Sequence, residues 1–283
     1  YLPHLSKREL RKPCRGLAGI TNTLLLTKRL KTLAIIGSYG MVGSDLVRYL
    51  GAKFHVTPIH KVNYPTHVGS SFDIVINANG NSKRFWANSH PVEDFIASTE
   101  SVYKSISDFT YGVYVYISSS DVYHDHTNPR STKEGAPIRP HALTPYGLHK
   151  YFSELLIQKY VKHYLILRSS MILGKNLKKG PFYDITHRMP LFITKDSRLQ
   201  LVTTREIANI IRFLLNKGIY AQVFNIGGRG SFSFHDIERY VQTPVTYSRD
   251  SERQEYEMSV AKMLKLYPLK TSEEYLREFL HGL

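Results

Sequence analysis

The sequence predicts an α/β protein, a doubly wound parallel sheet with a small C-terminal α/β lobe, and three observations point there. Short apolar runs alternate with amphipathic segments from Leu33 onward. A glycine-rich turn, Gly37-Ser38-Tyr39-Gly40-Met41-Val42-Gly43, joins the first run to the first amphipathic segment. The strand–helix–strand units have the length of right-handed crossovers between parallel strands.

Leu33-Ala34-Ile35-Ile36 is the first strand, and Met41 to Leu50 is a helix with Val42, Leu46 and Leu50 on one face. Phe54 to Thr57 is a short second strand. Phe72 to Asn77 is a third, continuous enough in apolar residues to be buried on both faces. The stretch from His60 to Ser71 is too short for a full helix and strand, so the sheet is abbreviated at that edge. Pro91 to Phe109 reads as one helix with proline in its first turn. Val113 to Ile117 is a strand running into Ser118-Ser119-Ser120, and a loop rich in Pro, His and Thr follows from His124 to Thr144. Tyr146 to Val161 is a long helix and Tyr164 to Arg168 a strand. After Gly174 the regularity loosens. Leu199 to Val202 and Val223 to Ile226 read as strands and Thr204 to Leu215 as a helix. Ser233 to Val241 and Ser272 to Leu280 are short helices, each opened by a serine suited to capping. The expected organisation is a basic extension over 1–32, a sheet domain over 33–170, and a smaller lobe over 171–283. The lobe interleaves with the sheet and lies over its carboxyl edge, where ligands of such folds bind.

Composition narrows the class. Of 283 residues, 42% are hydrophobic and 22% charged, an ordinary globular balance. No apolar run approaches the ~20 residues that span a bilayer, so a soluble protein without a membrane partner is expected. The one cysteine, Cys14, excludes an intrachain disulfide framework and a cysteine metal cluster. This composition suits a reducing, cytoplasmic compartment, and no metal site is expected. The net charge is +15, but residues 1–31 carry eight basic residues against the single acid Glu9. The remaining excess is scattered, with no dense Lys/Arg stripe. It argues against a nucleic-acid partner and fits phosphate-bearing small molecules. The basic N-terminal stretch lacks an apolar core followed by a small-residue cleavage site, so it does not read as a secretory signal. It is expected to be a loosely packed extension without chemistry.

Three features carry chemistry. In the glycine turn the backbone must bend sharply from strand into helix and come close to a pyrophosphate, which a residue without Cβ permits. The helix N-terminus then offers free N–H groups to the phosphates. A glycine-rich turn can also hold nothing, but the strand before this one and the helix after it supply the required context. Second, Tyr146-Gly147-Leu148-His149-Lys150 places a phenol and an ammonium one helical turn apart on one face. The cation favours phenolate and is expected to lower the phenol pKa for proton transfer. On its own this spacing also describes a surface pair. Third, Ser118-Ser119-Ser120 ends a buried strand, where a hydroxyl can donate to a substrate oxygen or simply satisfy local backbone.

The glycine loop, Ile117-Ser118-Ser119-Ser120-Asp121-Val122-Tyr123 and Tyr146-Gly147-Leu148-His149-Lys150 occur in the order and spacing of the extended short-chain dehydrogenases/reductases. More narrowly, the chain resembles the NAD-dependent epimerase/dehydratase group, which acts on nucleotide-linked sugars. Leu167 to Gly174 resembles the family's post-strand segment, and Phe224-Asn225-Ile226-Gly227-Gly228 its late turn. The resemblance implies a Rossmann-type sheet and hydride transfer between NAD or NADP and a sugar. It implies Tyr146 as acid/base, Lys150 as the group lowering its pKa and bonding the nicotinamide ribose, and Ser119, four residues before Tyr123, as the catalytic hydroxyl. Gly37, Gly40 and Gly43 would wrap the pyrophosphate with the amides of Met41 and Val42 donating to it. Ala78 and Asn79 would lie beside the adenosine-side ribose. The family often dimerises through the helices that here are Pro91–Phe109 and Tyr146–Val161, which implies a homodimer.

The sequence departs from the family in several places. His124 follows Tyr123 where the family has glycine. The end of the second strand, Val56 to Lys61, lacks the carboxylate that holds the adenosine ribose. His60 and Lys61 stand there instead, either meeting a 2′-phosphate, which favours NADP, or solvated. Asp121 alone replaces the acidic pair of the dehydratases, and Cys14 is too remote for Cys/His epimerisation. His149 is read as structural or solvent-facing. Two alternatives stay open: a reductase of a small non-sugar carbonyl, and a non-catalytic Rossmann-fold module for RNA binding or assembly, which would have no need of all three of Ser119, Tyr146 and Lys150.

Overall fold

In the computed structural model the described residues are 30–81, 84–241 and 243–282, so the expected extension over 1–32 lies almost wholly outside them. Strand β1 (Thr32–Ile36) leads through the glycines into helix α1 (Met41–Leu50), and the chain returns as β2 (His55–Ile59). β2 begins one residue and ends two residues later than the apolar run suggests, because it pairs with β1 from His55 opposite Thr32 to Ile59 opposite Ile36. Only the single turn α2 (Tyr64–His67) separates it from β3 (Ser71–Asn77). Next come α3 (Arg84–Ser89), α4 (Pro91–Phe95), a π-helical turn over Ile96–Glu100, α5 (Ser101–Asp108), β4 (Thr110–Ser119), α6 (Pro145–Tyr160) and β5 (Tyr164–Ser169).

The C-terminal part holds β6 (Met171–Leu173), α7 (Pro181–Thr186), β7 (Leu191–Ile193), β8 (Arg198–Leu199), β9 (Leu201–Thr203), α8 (Thr204–Asn216) and β10 (Gln222–Ile226). It closes with β11 (Phe232–Ser233), α9 (Glu238–Val241), β12 (Tyr247–Glu252), β13 (Glu255–Tyr256), α10 (Ala261–Leu264) and α11 (Ser272–His281).

The central sheet has six parallel strands in the order β10-β5-β4-β3-β1-β2. From β1 the chain moves one way to β2 and then crosses to β3 on the other side. The strand order therefore reverses between β1 and β3, and a crevice opens beyond their carboxyl ends. The abbreviated edge is as expected, since the short segment after β2 contributes one helical turn and no strand.

Apolar residues on alternate positions fill both faces of this sheet. Leu46 and Leu50 of α1 join Ile207, Ile210, Ile211 and Leu214 of α8 on one face. Val102 of α5 and Ile157 of α6 pack against Ala34, Val75, Tyr114 and Ile166 on the other. Phe182, Leu191, Leu199, Phe232, Phe234 and Leu276 form a separate core for the C-terminal lobe. Two elements from beyond residue 170 return to the larger body: β10 as the outermost strand beside β5, and α8 against α1. The buried Asp45 of α1 ties them further, accepting bonds from Thr204 Oγ1 at 2.6 Å and the Lys175 amide at 3.1 Å.

Four local expectations change. Pro91–Phe109 is a helical path interrupted by the π-turn, which slips the register of the buried positions and seats Ser98 and Thr99 against α6. There Thr99 Oγ1 donates to the His149 carbonyl at 3.0 Å. Leu199–Val202 is broken at Gln200, whose buried amide bonds the carbonyls of Gly228 and Met258 and accepts from the Met258 amide. The last helix is capped by Thr271 in a reciprocal box with Glu274, while the Ser272 hydroxyl instead accepts from the Leu201 amide. The segment after Ser233 is a 3₁₀ turn followed by α9, and the Ser233 side chain caps nothing. Among the described residues no helix is long and apolar enough to cross a membrane.

Candidate active site

The glycine loop leaves β1 at the switch point. Gly37 has φ +84°, and a Cβ there would stand 2.9 Å from the Asn79 amide nitrogen, so the loop packs directly on the backbone that leaves β3. A Cβ on Gly43 would lie 2.1 Å from the Gly37 carbonyl oxygen, which is why α1 can begin so close beneath the turn. Gly40 occupies the N-cap of α1 without a side-chain cap, leaving the amides of Met41 and Val42 at an uncapped helix start. Among the described residues the buried Ser38 hydroxyl has no hydrogen-bond partner. A narrow backbone cradle, an uncapped helix start and an orphaned buried hydroxyl fit the pyrophosphate of a dinucleotide.

The loops beside this cradle hold the other predicted binding residues. The Ile59 carbonyl accepts from the amides of Gly37 and Ser38, bringing the end of β2 against the loop. His60 then stacks its ring on Tyr39 at 3.9 Å, with its own amide held by Asn63 Oδ1 at 2.7 Å, and Lys61 is exposed. Beyond β3, Ala78 and Asn79 border the glycine turn. Asn77 Oδ1 fixes the Asn79 amide at 2.9 Å, and the Asn79 side chain donates to Ser101 Oγ at 3.1 Å.

Helix α6 starts where Thr144 Oγ1 accepts from the Gly147 amide and Pro145 fills the first turn. Its approach to the end of β4 is close, since a Cβ on Gly147 would meet the Asp121 carbonyl oxygen at 2.0 Å. Tyr146, Lys150 and Glu154, spaced by four, form one buried row facing β4. Lys150 Nζ donates to the Ile117 carbonyl at 3.2 Å and lies 4.9 Å from the Tyr116 ring centre. At the foot of the row, Glu154 receives Arg168 through Nε at 3.1 Å and Nη2 at 2.7 Å, and Ser118 Oγ at 2.5 Å. Arg168 also donates to the Tyr123 hydroxyl at 2.8 Å, and Tyr123 to Asn225 Oδ1 at 2.9 Å. This network joins α6 to β4, β5 and β10.

The structure brings Ser119, Tyr146 and Lys150 together at the carboxyl end of β4. Burial pushes the Tyr146 phenol above its ordinary value; the Lys150 charge and the neighbouring Ser119 hydroxyl pull it down, while Asp121 and Tyr116 push it up. The expectation of a lowered phenol is thereby corrected. Lys150 acts in the expected direction, but loss of water around the phenolate outweighs it. His149 is not solvent-facing: its Nδ1 lies 2.7 Å from Asp94 Oδ2, with both groups buried, so it bolts α4 to α6.

Arg84, Tyr256, His126 and Gly80 join the site without any signal in the sequence, which marks only Ser119 and Asp121 among these partners. Ser119 Oγ donates to Asp121 Oδ2 at 2.8 Å, and Arg84 Nη1 donates to Asp121 Oδ1 at 3.0 Å and to the Tyr256 hydroxyl at 2.6 Å. The His126 ring lies 4.4 Å from Tyr256, with Nε2 3.0 Å from the Ser120 carbonyl. Gly80, at φ +123°, passes Lys150 so closely that a Cβ would stand 3.3 Å from Nζ. Among the described residues no cluster of three or more His, Cys, Asp and Glu side chains could hold a metal ion.

The switch-point crevice, the glycine cradle and the Tyr-x-x-x-Lys row beside a strand-end serine all lie at the carboxyl edge of the central sheet. Residues 65–227 match the NAD dependent epimerase/dehydratase family, and the chain belongs to that family of enzymes. No curated protein matches the sequence. A UDP-galactose 4-epimerase structure superposes with a TM-score of 0.73 at 17% identity, covering 88% of this chain and 97% of that one. The dTDP-4-dehydrorhamnose reductase of Bacillus anthracis str. Ames, in complex with NADP, gives 0.71 at 16% identity over 90% and 99%. The UDP-glucuronic acid 4-epimerase of Bacillus cereus, in complex with UDP-glucuronic acid and NAD, gives 0.70 at 17% over 89% and 99%. At these identities the likeness is one of fold.

The Glu154–Arg168 pair yields a test of what holds the row in place. Glu154→Ala leaves a buried guanidinium unpaired and is expected to cost about 3–5 kcal/mol, whereas replacing both partners by apolar residues of similar size costs much less. Urea unfolding of the single and double variants measures the difference.

Proposed function

We propose that the chain transfers a hydride between NAD(P) and a carbon of a sugar, nucleotide-linked as in the substrates named for the structures above. The observation that carries this reading is the convergence of Ser119, Tyr146 and Lys150 beside the glycine cradle. Tyr146 exchanges the proton of the reacting sugar oxygen, and Ser119 bonds that oxygen. Lys150 favours the phenolate and binds the nicotinamide ribose. Gly37, Gly40 and Gly43 take the pyrophosphate with the Met41 and Val42 amides, and Ala78 and Asn79 border the adenosine-side ribose. The bound nicotinamide supplies or accepts the hydride. The lobe over 171–283 covers the carboxyl edge and binds the substrate. Tyr146→Phe is expected to abolish turnover, with the thermal shift produced by NAD or NADP largely kept. Full activity in that variant would sink the assignment, and stabilisation by nucleotide sugars in the same melts tests the substrate class.

We also infer a preference for NADP. The end of β2 carries no carboxylate; His60 stacks on Tyr39 of the glycine loop, and the next residue, Lys61, is exposed. A charge-assisted bond to the 2′-phosphate is worth about 1.5–3 kcal/mol. Lys61→Glu should therefore weaken NADP roughly tenfold or more while sparing NAD; equal loss of both in calorimetric titrations would refute the preference.

The α4–α5 path and α6 leave Val92, Phe95, Ile96, Tyr103, Leu155 and Tyr160 exposed on one flank. We assign this flank to a second copy of the chain, the pairing that the family resemblance implies. Ile96→Glu is expected to convert a dimer into a monomer in sedimentation equilibrium, and a monomeric parent protein would contradict the assignment.

A further inference from the structure

Ser119 has one proton to give, and the structure shows where it points. Its hydroxyl donates to Asp121 Oδ2 at 2.8 Å and accepts from the Asp121 amide at 3.2 Å, so one residue fixes both the proton and a lone pair. The opposite carboxylate oxygen is held by Arg84 of α3, which also bonds the Tyr256 hydroxyl of β13 and has its guanidinium 5.0 Å from that ring. Three distant stretches thus meet behind the serine: one follows β3, one follows β4, and one comes from the C-terminal lobe.

We propose that Arg84 and Asp121 form a positioning pair for Ser119, anchored by Tyr256, which orients the serine hydroxyl and balances charge beside the phenol of Tyr146. It rests on the reading of Ser119 and Tyr146 as reacting groups and names two residues acting through them. The groups that interact with this pair are Tyr146 on α6, His126 on the following loop and Tyr256 on β13, and Lys150 on α6 and Tyr116 on β4 act in turn on Tyr146. Asp121 raises the pKa of Tyr146, and Lys150 opposes it. An unneutralised carboxylate here would favour the neutral phenol further, and Arg84 limits that cost. Desolvation lowers His126, while the Asp121 charge works against it. Because Arg84 is fastened to Tyr256, the charge balance depends on the lobe being seated.

The test reads Tyr146 directly and needs no substrate. The full chain is labelled with 3-fluorotyrosine, and the Tyr146 resonance is assigned in the fluorine spectrum by its loss in Tyr146→Phe. Its titration midpoint is then followed in variants that remain folded by thermal melting. Asp121→Asn should lower the midpoint, and Arg84→Met should raise it, each by about one pH unit. Arg84→Lys, which keeps the charge, should stay near the parent. Midpoints that move together in Asp121→Asn and Arg84→Met, or that do not move at all, overturn the proposal. If Arg84→Met does not fold, the comparison of Asp121→Asn with Arg84→Lys decides. The outcome is separate from turnover, so loss of the hydride-transfer assignment would register in the Tyr146→Phe assay and not here.

Discussion

The Glu154–Arg168 pair holds a carboxylate and a guanidinium almost wholly out of water beneath the candidate site. Such a pair gives little net stability unless every remaining donor and acceptor is engaged. Here they are occupied: Ser118 reaches the same carboxylate, and Arg168 extends to Tyr123 and so to Asn225 on β10. The constraint this imposes is geometric. Glu154 lies two turns along the row from Tyr146, so fixing it against β4 and β5 sets the rotation of α6 about its own axis. With that rotation set, Lys150 meets the Ile117 carbonyl and Tyr146 comes beside Ser119.

The cofactor side depends on a different kind of constraint, close approach of backbone to backbone. Gly37 against Asn79, Gly43 against Gly37 and Gly147 against Asp121 are three places where any Cβ would collide with main chain. They draw the ends of β1, β3 and β4 into one crevice at the point where strand order reverses. The polar row on α6 and the glycine contacts are thus complementary, the first orienting side chains and the second bringing the strand ends within reach.

What was legible in the sequence was local. Apolar periodicity located β1, α1, β3, β4, α6, β5, α8 and β10 to within a few residues. The resemblance to the family, matched at Tyr146, Lys150 and the serine four residues before Tyr123, pointed to the three groups that converge. Contacts across long stretches of chain left no trace in periodicity. Arg84 and Tyr256 are 172 residues apart, and nothing near either announces the other. The π-turn kept an apolar pattern close enough to helical that Pro91–Phe109 looked uninterrupted. The spacing of Tyr146 and Lys150 shows the neighbouring cation but not the loss of solvent that raises the phenol pKa. Thr271 and Ser272 can each cap the last helix, and only the reciprocal bond with Glu274 selects Thr271.

Among the described residues no strand pairs with the outer edge of β2. An unpaired strand edge can template association with another chain. Three features blunt it. The strand has only five residues, His55 is exposed at its start, and Pro58 removes one backbone donor from within it. An abbreviated sheet of this kind is safest against unwanted self-association when its last strand is short and interrupted, and β2 is both.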